Sequence, residues 1–220
     1  MKELWTQRGV LLAATGTTLE IFVMSALLAL TIAFIAGIAS VSSRQGIRRL
    51  ARVYGELFRG ISLVVQLFWL FFVLPLFGLT ISATQAAVVS LGLCFGAYGA
   101  EMVRAALLAL PKGQREAAQA LGLTRYQSFV FVELPQAVPI LLPPLGNLLV
   151  LVLKSTSVTA LITVPDLSFV SNALSANLGV SMAVFVYVIA VYYVLAQCVL
   201  SLTARIEKRL RIDIRAGMRP

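Results

Sequence analysis

Few side chains of this chain could take part in chemistry, because only 12% of its 220 residues are charged and none is histidine. A Ser-His-Asp triad and a histidine-based zinc site are therefore excluded. One carboxylate, Glu20, lies inside the first long apolar stretch, where an ionisable group is a functional candidate by default. The pattern Thr17-Thr-Leu-Glu20 also fits a capping box at the start of a helix. Both interpretations of Glu20 stay open.

A group of polar side chains follows the fourth apolar stretch and consists of Lys154, Ser155, Thr156 and Ser157. An ammonium and several hydroxyls suit the carboxylate of a zwitterion, so we predict that this group lines the path of a solute. Asn147 lies one or two helical turns earlier and is predicted to face the same path. The alternative is a structural ion pair between Lys154 and Asp166 that pins an irregular segment.

Glu101 and Arg104 are three residues apart near the end of the third apolar stretch. This spacing favours an ion pair along one helix face, with the arginine reaching toward the lipid head groups. The functional alternative is that Glu101 contacts the polar segment that follows and helps to transmit its motion.

The segment Glu116–Pro135 is the longest polar interruption in the central part of the chain. Just before and within it, Gln114–Leu121 is an alanine-rich run of strong helix formers. Gly122 occupies the place of a left-handed helix C-cap, and Thr124-Arg-Tyr-Gln127 is a capping box that predicts a second short helix. The small side chains of the first helix would let another surface approach its backbone closely.

The composition is that of a membrane protein, since 60% of the residues are hydrophobic and a soluble domain has about a quarter charged residues. We predict one all-helical transmembrane domain over residues 1–220, surrounded by the lipid bilayer. Its five spans are expected at residues 10–41, 56–77, 84–110, 136–153 and 180–202, with a polar loop at 111–135. Cys94 and Cys198 fall in apolar stretches and are interpreted as small packing residues.

Most of the 18 basic residues fall in three segments, at residues 42–59, 104–125 and 205–219. Lysine and arginine mark the cytoplasmic side of a membrane protein. Five spans with the N-terminus outside and the C-terminus in the cytoplasm place all three segments on that side. The net charge of +9 is therefore interpreted as a topology signal, and a nucleic-acid partner is excluded. No glycine-rich phosphate loop is present, so we expect the chain itself to bind no ATP.

The polar loop resembles the EAA loop of the permease subunits of bacterial ATP-binding-cassette (ABC) importers. The resemblance rests on Glu116-Ala117-Ala118, on Gly122, and on Leu134-Pro135, which is expected to close the loop and bend the chain into the next span. Further segments resemble the branch of this family that takes up polar amino acids: AYGAEMVR at 97–104, PKGQ at 111–114, LPQA at 134–137, LPPLGN at 142–147 and KSTS at 154–157.

The resemblance implies a type I ABC importer permease fold, MetI-like, with the loop as a cytoplasmic coupling helix. The residues it assigns to ATPase coupling are Gln114, Glu116, Ala117, Ala118, Gly122, Leu134 and Pro135. The implied partners are a cytoplasmic ATPase dimer that holds ATP and magnesium, a second permease subunit (identical or homologous), and an extracytoplasmic solute-binding protein. The implied location is the bacterial inner membrane, and this chain catalyses no covalent reaction.

The sequence departs from the family pattern at three places, the first of which is a pair of residues. Ile61-Ser62 replaces the usual Thr-Pro, so the kink that proline would give is not expected. Pro139 replaces a basic residue, and Ser155 replaces a common aspartate, which removes negative charge near Lys154.

Alternative functions stay open at this point. The same importer class could carry a compatible solute such as ectoine instead of a polar amino acid. An ion-coupled secondary transporter would need an acidic relay deep in the membrane, for which Glu20 is the candidate, and inverted repeats are not visible. An intramembrane enzyme is the weakest alternative, because neither a histidine nor a carboxylate dyad is available.

Overall fold

The computed structural model describes residues 8–178 and 181–217, apart from the side chains of residues 112, 178, 181 and 210–217. Residue 180, the predicted start of the fifth span, and residues 218–219 of the predicted basic tail lie outside the described residues. Within the described ranges all regular structure is helical, as predicted. The helices are α1 (Arg8–Ser40), α2 (Gln45–Gly60), α3 (Leu63–Phe68), α4 (Ala83–Leu108), α5 (Lys112–Ala120), α6 (Arg125–Ser128), α7 (Leu134–Ser155), α8 (Leu167–Leu178) and α9 (Ser181–Gly217).

Glycines bring α1 and α4 into close contact, since they leave no side chain between the two backbones. A Cβ added to Gly92 would lie 2.4 Å from the side chain of Leu28. A Cβ added to Gly37 would lie 2.5 Å from the side chain of Val103 and 2.9 Å from the carbonyl oxygen of Ala100. Small residues are the usual means by which membrane helices approach one another. This pair forms the centre of the bundle, and α2, α7 and α8 pack around it.

The contacts between α1 and α4 run in the same order along both helices, so the two helices are parallel. Both are long and apolar enough to cross a membrane. The chain between them must therefore cross back once, and it does so as a helix broken by 100° between Gln45–Gly60 and Leu63–Phe77. We call the end of the bundle where α1 ends and α5 begins the basic end, after the arginines that follow Ser40.

The break in this second span corrects two expectations from the sequence. The span does not begin as a straight helix at residue 56, and a sharp bend occurs at Ile61-Ser62 although proline is absent. Ser62 has extended backbone angles (φ −58°, ψ 137°). The amide of Gln66 donates hydrogen bonds to the carbonyl oxygens of Phe58 at 2.9 Å and Ile61 at 3.0 Å. A glutamine therefore satisfies the carbonyls that the break exposes, and this stabilises the bend without proline.

The helix that contains the fourth span begins earlier than the sequence predicts. α6, a π-helical segment at Phe129–Glu133 and α7 form one continuous helical run over Arg125–Ile162. Leu134-Pro135 therefore lies inside a continuous helical run and does not form the turn that was expected to close the loop. Leu134 donates its backbone N–H to Phe129, five residues back, and this wider turn accommodates the proline in the first turn of α7.

The polar stretch after Lys154 folds as a 3-10 helix at Thr156–Ile162 followed by α8. Asp166 is fully buried and caps α8, because its Oδ1 accepts the N–H of Phe169 at 2.8 Å. Thr18 of α1 accepts the N–H of Leu167 at 3.0 Å. The bond from Leu167 to Thr18 attaches the start of α8 to α1 at the centre of the bundle.

The α1–α4 contact predicts that Gly37→Ala will destabilise the protein by about 1–3 kcal/mol, because the new methyl group meets a backbone carbonyl that cannot rotate away. The measurement is the unfolding midpoint of the purified chain in detergent. Gly16→Ala is the matched control on the same helix, since a Cβ there meets nothing within 4 Å. Equal midpoints for the two variants would contradict the packing described here.

Candidate functional site

The short helix α5 projects from the basic end of the bundle between α4 and α6. It begins directly after Pro111 and ends at Ala120. Gly122 has φ +78°, and its N–H and that of Leu123 bond to the carbonyl oxygens of Gln119 and Ala118, at 2.9 and 3.1 Å. This is the left-handed C-cap that the sequence predicts, and an L-residue would be strained there. The predicted capping box of Thr124 and Gln127 is also confirmed.

Almost the whole surface of α5 is exposed. Ala118 is buried, whereas Gln114, Glu116 and Ala117 are exposed. Two large side chains beside the alanines are uncovered as well: Leu121 is 82% exposed and Tyr126 is 75% exposed. Sequence reasoning missed both, although a leucine and a tyrosine inside a polar loop are a signal for contact with another protein. The loop thus presents a surface with small residues at its centre and apolar side chains at its edge.

A buried carboxylate attaches α5 to the membrane-spanning helix. Glu133 is only 6% exposed, and its Oε1 accepts hydrogen bonds from Arg115 Nε at 3.0 Å and from the Ser128 hydroxyl at 3.3 Å. Arg115 Nη2 binds the other carboxylate oxygen, so the pair is bidentate. The bond to Glu133 raises the pKa of Arg115 above its ordinary value, so this guanidinium stays charged.

Sequence reasoning missed the Arg115–Glu133 pair as well. The available signal was a glutamate in the otherwise apolar stretch 129–134, because a carboxylate there needs a cationic partner. A second, weaker bond joins the same elements, since the amide of Gln136 donates to Gln114 Oε1 at 3.2 Å. Leu134 and Pro135 lie between these two contacts and form the first turn of α7. Two side-chain contacts thus connect both ends of the loop.

Glu101 and Arg104 form the ion pair that their spacing predicts. Arg104 Nε lies 3.0 Å from Glu101 Oε1, and Arg59 of α2 lies 3.6 Å from the other carboxylate oxygen. Both ionic partners of Glu101 among the described side chains lie outside residues 111–135, and its role in transmitting the motion of the polar loop stays a prediction. The three charged groups line a cavity of about 370 Å³ between α1, α2 and α4.

The predicted solute-path residues lie along α7 and at its end, with different exposures. Asn147 and Lys154 are exposed on α7. Ser155 is half-buried and lines a cavity of about 480 Å³ together with Ser62 and Tyr98. Ser157 donates its hydroxyl to the carbonyl of Lys154 at 2.8 Å.

Thr156 is placed differently from its neighbours. It is fully buried, donates its hydroxyl to the carbonyl of Leu153 at 2.8 Å and lies 3.3 Å from the Tyr192 hydroxyl. This is the position of a packing residue. The alternative ion pair between Lys154 and Asp166 is also wrong, since Asp166 caps α8 and Lys154 lies on an exposed face.

Glu20 does not cap a helix, because α1 begins twelve residues earlier, at Arg8. The Thr17 hydroxyl instead donates to the carbonyl of Ala13 at 3.4 Å. Glu20 is exposed in the middle of α1, and no hydrogen bond or ion pair among the described residues joins it to the Lys154 group. The structure therefore shows no direct bond between Glu20 and the other path candidates, and a role for Glu20 in the path stays a prediction.

Residues 17–212 match a protein-family model described as "Binding-protein-dependent transport system inner membrane component". Among similar proteins, a probable amino-acid ABC transporter permease of Sinorhizobium fredii is 41% identical over 169 residues, which cover 74% of this chain and 71% of that protein. The glutamine transport system permease of Escherichia coli is 34% identical over 212 residues, covering 95% and 96%. The L-cystine transport system permease of Bacillus subtilis is 31% identical over 194 residues, covering 88% and 83%.

Solved structures of ABC transporters are also similar to this chain. The crystal structure of an amino acid ABC transporter with histidines is 28% identical and has a TM-score of 0.86, over 94% of this chain and 97% of that one. The inward-facing MetNI methionine ABC transporter is 22% identical with a TM-score of 0.80, over 93% and 98%, and supports the fold alone. The predicted type I importer permease fold and the predicted family are thus confirmed. This chain belongs to the family of binding-protein-dependent transport system inner membrane components.

Proposed function

We propose that this chain forms the translocation path of an ABC importer for a polar amino acid or a similar small zwitterion. In this proposal a separate ATPase dimer binds ATP and magnesium, a solute-binding protein delivers the solute, and a second permease subunit completes the path. The observation that carries the proposal is an exposed helix, α5, whose Arg115 forms an ion pair with the buried Glu133 at the start of the span that holds the solute-path candidates. The relatives named for amino-acid, glutamine and cystine transport support the solute class.

The basic end of the bundle is assigned to the cytoplasm. The connector after Ser40, the α5 loop and the last turns of α9 all carry arginine or lysine, which marks the inner side. With α1 and α4 parallel, the N-terminus then lies outside and the C-terminus inside. α5 is on the side where an ATPase reaches it, and the turn before α4 is on the side of the solute-binding protein.

Movement of the ATPase reaches the path through side-chain contacts rather than through flexible backbone. The exposed alanines, Leu121 and Tyr126 seat α5 against the ATPase. Arg115–Glu133 and Gln114–Gln136 tie α5 to the start of α7. Because α7 is one helix from Leu134 to Ser155, a displacement of its first turn also moves Asn147, Lys154 and Ser155.

The solute path is assigned to the exposed face of α7 and the cavity next to it. Asn147 and Lys154 offer an amide and an ammonium, and the cavity adds the hydroxyls of Ser155, Ser62 and Tyr98. These groups suit the carboxylate of a zwitterion, and ectoine stays the second candidate solute. A proton- or sodium-coupled carrier is disfavoured, because Glu20 is exposed and no direct bond among the described residues joins it to these groups.

The docking role of α5 predicts that Leu121→Ser weakens binding of the ATPase by about tenfold or more, because burial of a leucine side chain contributes about 1.5–3 kcal/mol. The measurement is the dissociation constant between the detergent-purified permease and its ATPase.

Leu76→Ser is the matched control at the opposite end of the bundle, since Leu76 is also 82% exposed. It should leave ATPase binding unchanged. If both variants bind the ATPase as the wild type does, α5 is not the docking element.

If the Arg115–Glu133 pair transmits movement, Arg115→Gln should lower the number of solute molecules imported per ATP hydrolysed several-fold. The ATPase should still bind, because its contact surface is intact, but α5 would move without carrying α7. The double variant Arg115→Glu, Glu133→Arg should recover part of the ratio. Proteoliposomes with the complete complex provide both rates.

Arg125→Gln is the control for the loss of one exposed charge from the loop. The Arg125 side chain has no hydrogen bond or ion pair among the described residues, so its removal should not alter the ratio. A wild-type ratio in Arg115→Gln would refute the transmission role while leaving the docking role standing.

A further inference from the structure

The cavity of about 370 Å³ near the basic end is lined by small residues and by charged side chains. Small residues of three helices make the room: Ala36 of α1, Ala51 and Gly55 of α2, and Ala97 and Ala100 of α4. Five charged side chains complete the lining: Arg52, Glu56, Arg59, Glu101 and Arg104. Charged groups that face one cavity need water or a polar ligand, because an ionised group that is buried without a partner is costly.

The charges in this cavity are only partly satisfied by one another. Glu101 is bound by Arg104 and Arg59. Arg52 and Glu56 also line the cavity, are exposed, and have no side-chain hydrogen bond or ion pair among the described residues. Three guanidinium groups and two carboxylates thus converge on one space. A zwitterion with adjacent carboxylate and ammonium groups can bind both kinds at once, through charge-assisted hydrogen bonds.

The two flanks of α2 differ in polarity, which indicates the side of the helix that faces water. Leu50, Val53 and Leu57 are exposed on one flank, where lipid can cover them. Arg52, Glu56 and Arg59 lie on the other flank, toward the cavity. An amphipathic helix places its polar face toward water, so the charged flank borders an aqueous space even though α2 belongs to a membrane span.

The charged cavity continues the solute path described above. Arg59 lines both this cavity and the cavity of about 480 Å³ that contains Ser62, Tyr98 and Ser155. A solute that passes Ser155 would therefore next meet Arg59 and then the Glu101 cluster. The charged cavity lies nearer the basic end, because it is lined by Ser40, the last residue of α1, and by Arg104 near the end of α4.

We propose that the charged cavity is a release site, where a zwitterionic solute binds with low affinity before it leaves to the cytoplasm. This inference rests on the proposed function. The α-carboxylate of the solute is bound by Arg52 and Arg59, and its ammonium group by Glu56. Glu101, itself bound by Arg104, lies 3.6 Å from Arg59 and helps to hold it in place. A molecule that keeps the amine but lacks the carboxylate would not bind.

The test uses the complete complex in proteoliposomes. The solute is first identified by ATP-driven uptake of each of the twenty L-amino acids. Vesicles are then preloaded with that amino acid, unlabelled, or with the amine formed by its decarboxylation. Internal amino acid should slow uptake of the labelled compound in a saturable way, because it occupies the release site. The amine should have no such effect.

Arg52→Gln and Glu56→Gln should each raise the internal concentration that halves uptake by about tenfold, since each removes one charge-assisted bond to the solute. Arg49→Gln is the matched control on α2, because Arg49 is exposed but does not line the cavity. Arg49→Gln should keep the wild-type internal concentration for half-maximal uptake. Equal inhibition by the amine, or wild-type values in both cavity variants, would overturn the release site.

Two further outcomes separate this inference from others. If the wild-type complex takes up no amino acid, the proposed solute class fails, and the release site with it. Uptake is also compared in vesicles with and without anionic lipid. If both cavity variants keep the wild-type inhibition, and anionic lipid stimulates uptake by the wild type but not by the variants, the cavity holds a lipid head group. The release site is then refuted, while the importer function stands.

Discussion

The close approach of α1 and α4 is the constraint on which the remaining structure depends. It exists because glycines stand where side chains would otherwise separate the helices, as at Gly37 against Val103 and Gly92 against Leu28. Since this contact makes the two helices parallel, the chain between them has to return across the membrane once. That return brings the arginine-rich start of α2 and the loop after α4 to the same end of the bundle. The loop after α4 and the charged cavity therefore share the basic end of the bundle because of this packing, and Ala100 at the contact also lines the cavity.

The coupling loop combines an open outer surface with a fixed attachment. Leu121 and Tyr126 are uncovered, which an isolated soluble loop would avoid, and this is consistent with a protein partner. Glu133 is buried and bound by Arg115 and Ser128. Breaking such a pair is costly, because it leaves a buried charge without a partner. The same loop thus has an uncovered apolar surface on one side and an ion pair to the start of the α7 run on the other, as the proposed coupling role requires.

Local patterns predicted much of this structure, and tertiary contacts account for the rest. The C-cap at Gly122 and the capping box at Thr124 were predictable, because each depends on residues within one helical turn. The bend at Ile61-Ser62 was missed, since it is stabilised by Gln66 bonding back to Phe58 rather than by proline. The Arg115–Glu133 pair was missed because its members are 18 residues apart. Asp166 was considered as an ion-pair partner of Lys154 because the two are close in sequence. In the structure Asp166 is buried and caps α8.

In the proposed mechanism, α5 and the start of α7 move as one body. Gln114 and Gln136 are in contact across these helices, so cysteines at both positions, in a chain with Cys94 and Cys198 replaced by serine, can be joined by a short thiol cross-linker. ATP-driven uptake by the complete complex is then measured before and after cross-linking. If the two helices move together, uptake should continue at a similar rate after they are joined. Loss of uptake on cross-linking, with recovery when the link is cleaved, would show that α5 has to move relative to α7 and would contradict this mechanism.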